Sequence, residues 1–276
     1  NVRNLTVNGT TTVSNGQVRF NIENDYSIGT VDVSGNGRIY LSSSPQNTGA
    51  IQATATGLTG SGGTIQSALF TGNSTTLRIN GSGNYSSGTN LVDNEGTLSL
   101  IMDGTGNQTL TGNNQYTGKT QVDDGTLTIG SSLSLGLGDV IVNGGTLTST
   151  AVVLNVSGNF TIKGGQVDIN GLSTGICDMT AGQDLTLDGG TIVISFDSGV
   201  ETHDRFSSAG SGSSFDLSSG IIDLANSDWD YSIVYTLFEG FDSGTVGDID
   251  FINYDTSNWQ ASLSDTGVLS FSAIPE

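Results

Sequence analysis

Residues 110–148 read LTGNNQYTGKTQVDDGTLTIGSSLSLGLGDVIVNGGTLT and hold one small device twice, DDGTLTI at 123–129 and NGGTLT at 143–148. Each copy is a polar residue, a glycine, and then alternating polar and apolar residues. A turn that needs a permissive backbone feeds a strand whose Leu and Ile point one way and whose Thr point the other. Thr126, Thr128, Thr146 and Thr148 are therefore expected to face outward, where a β-branched hydroxyl suits an exposed strand face.

The device recurs as NGQVRF (15–20), NGRIYL (36–41), EGTLSL (95–100), GGQVDI (164–169), GGTIVI (189–194), SGIIDL (219–224) and TGVLSF (266–271). From Gly125 to Gly145 to Gly165 the interval is 20 residues twice, and other intervals are 21, 25, 29 or 30. A second strand pattern often precedes the turn, as in LTVNG (5–9), VIVNG (140–144), NFTIKG (159–164) and LTLDG (185–189). Self-similarity at this period is the signature of a solenoid. With coils stacked at ~4.8 Å, Leu98, Leu127, Leu147, Val167 and Ile192 are expected to form one inward ladder, and Leu100, Ile129, Ile169 and Ile194 the next. The turn residues Asn143 and Asn159 are expected to bond through their amides to the neighbouring coil.

Composition agrees with an all-β reading. Only 34% of the 276 residues are apolar and 41 are Gly. With Ser, Thr and Asn abundant and no apolar period near 3.6, helices are excluded, while sustained period-2 alternation argues against disorder. The formal charge of −20 rests on 27 acids and seven Lys or Arg. Scattered cations exclude a nucleic-acid partner and disfavour an anionic membrane surface. Cys177 is the only cysteine, so no intrachain disulfide forms, and its place beside Ile176 reads as small buried packing. No apolar run is long enough to span a bilayer and no signal-peptide pattern opens the sequence, which implies a processed N-terminus and no membrane insertion of the mature chain.

Two regions follow. Residues 1–195 form the repeat region, with Asn-Gly turns at 8–9, 15–16 and 36–37, the clearest repeat at 110–148, and strands resuming at ALF (68–70), LRI (77–79) and LVD (91–93). Within it, SSSPQNTGAIQATATGLTGSGGT (42–64) breaks the rhythm and reads as an irregular insertion or long loop. Residues 196–276 hold 12 of the 19 aromatics and 14 of the 27 acids, which implies atypical C-terminal coils with larger core residues and a cap.

The segment from Leu110 resembles the autotransporter-associated β-strand repeat, L-x-G-x-N-x-Y-x-G-x-T-x-V-x-x-G-x-L-x-x-G. Leu110, Gly112, Asn114, Tyr116, Gly118, Thr120, Val122, Gly125, Leu127 and Gly130 fall on that pattern. The tail, ending in Pro275 and Glu276, resembles the region before the sorting signal of bacterial PEP-CTERM surface proteins. The resemblance implies a right-handed parallel β-helix, exported and displayed at the bacterial cell surface or released. It implies no activity, because the repeats of such families are scaffold.

Candidate chemistry lies among the acids and the single histidine. Asp123 and Asp124 precede a glycine and read as a turn. Asp228 and Asp230 would share a face around Trp229 if extended, and could bind sugar or a cation. His203, between Glu201 and Asp204, reads as an exposed loop histidine, since a metal site usually needs more such ligands. Asp242, Asp248 and Asp250 could ligate a hard cation such as Ca²⁺. The sequons at Asn73 and Asn159 carry little weight in so Asn-rich a chain. No residue is assigned a catalytic, cofactor or metal role. The expected function is a non-enzymatic extracellular scaffold that self-associates end to end into a fibre or matrix. The alternatives are an adhesin or glycan-binding protein with surface polysaccharide as partner and, less favoured, a polysaccharide lyase or hydrolase.

Overall fold

The computed structural model describes residues 5–20, 22, 24–41, 50–67, 72–171, 173–197, 202–225 and 229–275. No described residue is helical, and strands pair in parallel from coil to coil, so the fold is an all-β parallel β-helix. The chain divides into two compact units, Asn1–Asp139 and Val140–Glu276.

In the first unit, a continuous run of parallel pairings joins Thr10–Val13, Tyr26–Val33, Ala50–Thr59, Ser74–Ile79, Thr97–Met102 and Thr120–Val122, with Thr10–Val13 on the second half of Tyr26–Val33 and Ser74–Ile79 on the first half of Ala50–Thr59. A second face stacks Gln17–Arg19, Arg38–Tyr40, Thr64–Gln66 and Asn90–Val92. A third begins later, with Asn84–Ser87, Asn107–Leu110 and Thr126–Ile129. The Asn-Gly turns at 15–16 and 36–37 are corners between faces rather than hairpin tips, and Gly16 takes the left-handed φ of 83° such a corner needs.

The insertion expected at 42–64 is corrected for its described part. Ala50–Thr59 is a ten-residue rung and Thr64–Gln66 another, while 42–49 lie outside the described residues, as does the strand expected at 68–70. The alternation in AIQATATGLT is of strand period, but between the buried Ile51 and Leu58 its inward positions are Ala53 and Ala55, both 0% exposed, whose small side chains disguise a core face.

In the second unit, three faces run coil over coil. Val140, Phe160, Leu185, Phe215 and Gly244 form one inward column, and Val142, Ile162, Leu187, Leu217 and Val246 its neighbour. Leu147, Val167, Ile192, Ile222 and Phe251 line the second face. Leu154, Cys177, Phe206 and Phe238 line the third, where Cys177 is fully buried as expected. Phe206 and Phe238 stack with ring centroids 5.6 Å apart, and Phe238 stacks in turn on Phe215 at 4.9 Å.

The expected ladders hold for Leu147, Val167 and Ile192, but Leu98 and Leu100 belong to another face. Leu98 pairs with Thr75, whereas Leu127 pairs with Gln108. The 20-residue interval is one coil on one face; the 29 residues from Gly96 to Gly125 are a coil plus a change of face. Parallel stacking ends at Ser243–Ile252, after which Trp259–Leu263 and Val268–Ala273 pair antiparallel, with Tyr235–Thr236 beside them.

Candidate functional site

The motif coil shows what the recurring residue types do. Leu110, Tyr116, Val122 and Leu127 are 0% exposed and fill the coil. Asn114 is buried with its Oδ1 accepting from the Leu91 N–H at 2.8 Å and its Nδ2 donating to the Ser134 carbonyl, so one amide ties three segments together. The Tyr116 hydroxyl lies 2.6 Å from Thr120 Oγ1, and burial pushes its pKa up to about 12. Gly118 donates its N–H to the Leu98 carbonyl at 2.9 Å, and a Cβ there would stand 2.3 Å from that oxygen. Gly125 has φ +61° and would place a Cβ 2.1 Å from the Gly104 carbonyl oxygen, so both positions require glycine. The motif is therefore a specification for close coil stacking.

Corner side chains extend the stacking. Asn159 Oδ1 accepts from the Asp184 N–H at 2.9 Å, as expected of that residue. Asp184 Oδ1 then accepts from the N–H and hydroxyl of Ser214 at 2.9 and 2.8 Å on the following coil. In the first unit Asn90 serves Asn113 and Asp93 serves Thr117 in the same way.

Acids are distributed by a rule that composition does not show. Stacking in register would bring like charges ~4.8 Å apart, yet no acid lies directly opposite another acid in the described pairings. A hydroxyl or an aliphatic intervenes in Asp178–Ser207–Glu239, Asp188–Ser219–Asp248 and Asp168–Val193–Asp223. Ser207 and Thr245 turn this spacing into bonds, donating to Asp178 at 3.0 Å and to Asp216 at 2.8 Å.

The acids singled out from sequence do not come together. Asp123 and Asp124 form a turn, with Gln121 Nε2 donating to both Asp123 oxygens at 2.8 Å and Gly125 N–H donating to Asp124. Asp228 and Glu201 lie outside the described residues. Asp230 lies in a turn, where the hydroxyl and N–H of Ser232 hold its carboxyl below the usual range. Asp242 accepts from the Gly212 N–H, Asp248 stands opposite Ser219, and Asp250 stands opposite Ile221. Among the described residues no group of three His, Cys, Asp or Glu could hold a metal ion.

His203 is corrected. It lies on a short antiparallel strand, half-buried, with Nε2 2.9 Å from the Thr236 carbonyl and its ring edge-on to Tyr235 at 5.5 Å. Burial lowers its pKa, opposed by the Thr236 carbonyl. The alternation that buries Asp204, Phe206 and Ser208 carries His203 to the other face of the strand, where the segment around Tyr235 packs over it.

Sequence reasoning missed Asp204 and Gln108, both 0% exposed. Asp204 accepts N–H bonds from Gly175 and, at 2.7 Å, from Ser195, and burial pushes its pKa up to about 8. Parity was the available signal: Asp204 alternates with Phe206, and Gln108 with Leu110. Of the C-terminal aromatics, Phe196, Phe206, Phe215, Trp229, Tyr235 and Phe238 are buried. Tyr231, Phe241, Phe251, Tyr254, Trp259 and Phe271 are half-exposed, and Tyr231 stacks on Trp259 with centroids 5.3 Å apart and planes 8° from parallel.

The class defined by these coils is a parallel β-helical repeat protein whose constrained residues build the stack. Residues 100–129 match the family model described as Passenger-associated-transport-repeat. No curated protein and no solved structure matches the chain.

Proposed function

We propose that the chain is a non-enzymatic extracellular scaffold of the PEP-CTERM surface type, whose copies add head to tail into a surface fibre or matrix. The observation that carries this reading is the last parallel rung. Among the described residues Ser243–Ile252 has a strand partner on one side only, Ser214–Leu224, and its core residues Val246, Ile249 and Phe251 are half-exposed. A rung of this length with no strand on its outer side, where only the Asp265 carboxylate accepts the Val246 N–H at 3.0 Å, is a template for a further strand. The transport-repeat match at 100–129 supports export to the cell surface, and the motif's residues are spent on stacking rather than on a cleft. Size-exclusion chromatography and negative-stain microscopy of native material test the assembly; monomers at every concentration would sink it. Incubation with pectin, alginate or xylan tests the absence of catalysis, since new reducing ends or unsaturated products would make the chain an enzyme.

A second reading, glycan binding, rests on the half-exposed Tyr231–Trp259 stack, because sugars pack on aromatic faces. A glycan array probed with the whole chain and with Trp259→Ala separates the two, since a bare scaffold retains nothing.

A further inference from the structure

The acidity of the chain has a local exception on the second face of the first unit. There Gln17, Arg38, Thr64 and Asn90 stand in register on successive rungs, with Arg19 and Tyr40 paired beside them. Arg19 and Arg38 are far apart in sequence, yet stacking makes them diagonal neighbours, ~8 Å apart for a rung spacing of ~4.8 Å and a rise of ~3.3 Å per residue. No residue of these four strands is acidic. The ion pairs among the described residues, Arg78–Asp103 and Arg205–Glu239, involve neither arginine. Arg19 lies 5.0 Å over the Tyr40 ring and donates to Gln17 Oε1 at 3.3 Å, which holds it on the face.

Beside Arg38 lies a cleft of about 290 Å³, lined by Asn36, Thr64, Asn90 and the corner glycines Gly35, Gly37 and Gly63. Those corners are bare because stacking leaves no room for a side chain. A Cβ on Gly37 would stand 2.0 Å from the Val13 carbonyl oxygen, and one on Gly63 would stand 2.4 Å from that of Gly37. Asn90 Oδ1 accepts the Asn113 N–H at 2.8 Å, which leaves its Nδ2 as a donor. The Thr64 hydroxyl is buried with no hydrogen-bond partner among the described residues, a cost that a ligand removes when the side chain turns to another staggered rotamer.

We propose that this cleft binds an acidic polysaccharide, with a uronate carboxylate on the Arg38 guanidinium and ring hydroxyls on Asn36, Thr64 and Asn90. The inference deepens the glycan-binding reading and rests on it for the kind of partner, but it places the contact in the first unit, on residues other than Tyr231 and Trp259. A guanidinium with no carboxylate beside it offers a fork of N–H groups that matches a planar anion. Arg19, one rung away, receives a second carboxylate of the same polymer.

The lining selects the class of ligand. It holds no apolar side chain to anchor a peptide, and the cleft is larger than a free phosphate needs. Amides and a hydroxyl around one cation suit a ring that carries both hydroxyls and a carboxylate. Screening confines the repulsion of acids elsewhere to about 8 Å at physiological ionic strength, so the charge of the face itself governs docking.

Isothermal titration calorimetry of the whole chain with tetragalacturonate tests the site. The parent is expected to bind it, while xylotetraose, an octa-aspartate peptide and inorganic phosphate give no heat at the same concentrations. Arg38→Gln should weaken binding about tenfold or more, the worth of a hydrogen bond to a charged group, and Thr64→Val several-fold with no loss of melting temperature. Lys119→Gln, which removes the same charge beside Thr120–Val122, should bind as the parent does. Failure of tetragalacturonate to bind, equal binding of any of the three other probes, or an equal loss from Lys119→Gln would overturn the site. A loss seen in Trp259→Ala but not in Arg38→Gln would overturn it while leaving glycan binding at the aromatic stack standing. A chain that retains no glycan of any kind would remove both.

Discussion

The side-chain amide of Gln108 pairs with both backbone groups of Leu58, fifty residues earlier: Oε1 accepts the Leu58 N–H at 2.8 Å and Nε2 donates to its carbonyl at 3.1 Å. Gln108 stands in register between Tyr85 and Leu127, a polar residue at a core position. The Tyr85 ring covers Gly57, where a Cβ would meet it at 2.3 Å, and the glutamine amide completes the hydrogen bonding of the next residue. Gln108→Leu keeps the bulk and orphans a buried N–H and C=O, each costing about 1–3 kcal/mol. The denaturation midpoint is expected to fall accordingly with the m-value unchanged; a variant as stable as the parent would show the amide to be dispensable.

Alternation of acids with hydroxyls predicts a charge-placement effect. Ser219→Asp would put three carboxylates on successive rungs, Asp188, residue 219 and Asp248. Like charges directly opposite cost roughly 0.2–1 kcal/mol per pair, and the two contacts add. The loss should shrink in 1 M NaCl, where the screening length is about 3 Å, while Ser219→Ala should lose little at either salt. A salt-independent loss would point to packing instead.

Asp204 predicts a pH dependence. Its folded pKa is raised to about 8, chiefly by burial and against the pull of the Ser195 and Gly175 N–H groups. A raised carboxyl binds its proton more tightly in the folded chain. Its stabilising contribution is therefore full below the unfolded value of about 3.9 and is lost as pH rises toward 8. Melting temperatures measured from pH 4 to pH 9 should decline more steeply for the parent than for Asp204→Asn. Parallel profiles would remove Asp204 as the group responsible.

Tyr116 separates the polar and packing roles of the motif. Tyr116→Phe loses the hydroxyl contact with Thr120 and should cost about 1 kcal/mol, whereas Tyr116→Ala opens a cavity and should cost about 3–5 kcal/mol. Chemical denaturation checks both, and equal losses would mean that the hydroxyl, rather than the ring, anchors the coil.

Much of this architecture was legible beforehand because period-2 alternation and glycine corners are local properties of the chain. Leu147, Val167 and Ile192 stack as spacing required, and Asn159 bridges coils as its corner position suggested. The rung at Ala50–Thr59 was hidden because alternation between Ala and Thr carries little hydrophobic contrast. Leu98 was assigned to the wrong face because a repeat interval does not say whether the chain has completed a turn or passed a corner. The short strand carrying His203 depends on the segment around Tyr235, which the local pattern does not contain.

By itself the sequence determined an all-β stack of coils, the corners that only glycine can occupy, and an acidic composition with a formal charge of −20. The tertiary structure alone decided which coils oppose which. That choice sets Asp188 against Ser219 rather than against another acid, buries Asp204 and Gln108 beside backbone groups far away in the chain, and leaves Ser243–Ile252, among the described residues, with a strand partner on one side only. The division has a physical cause: strand period and turn geometry depend on a few consecutive residues, whereas burial and charge depend on neighbours brought in from a coil away.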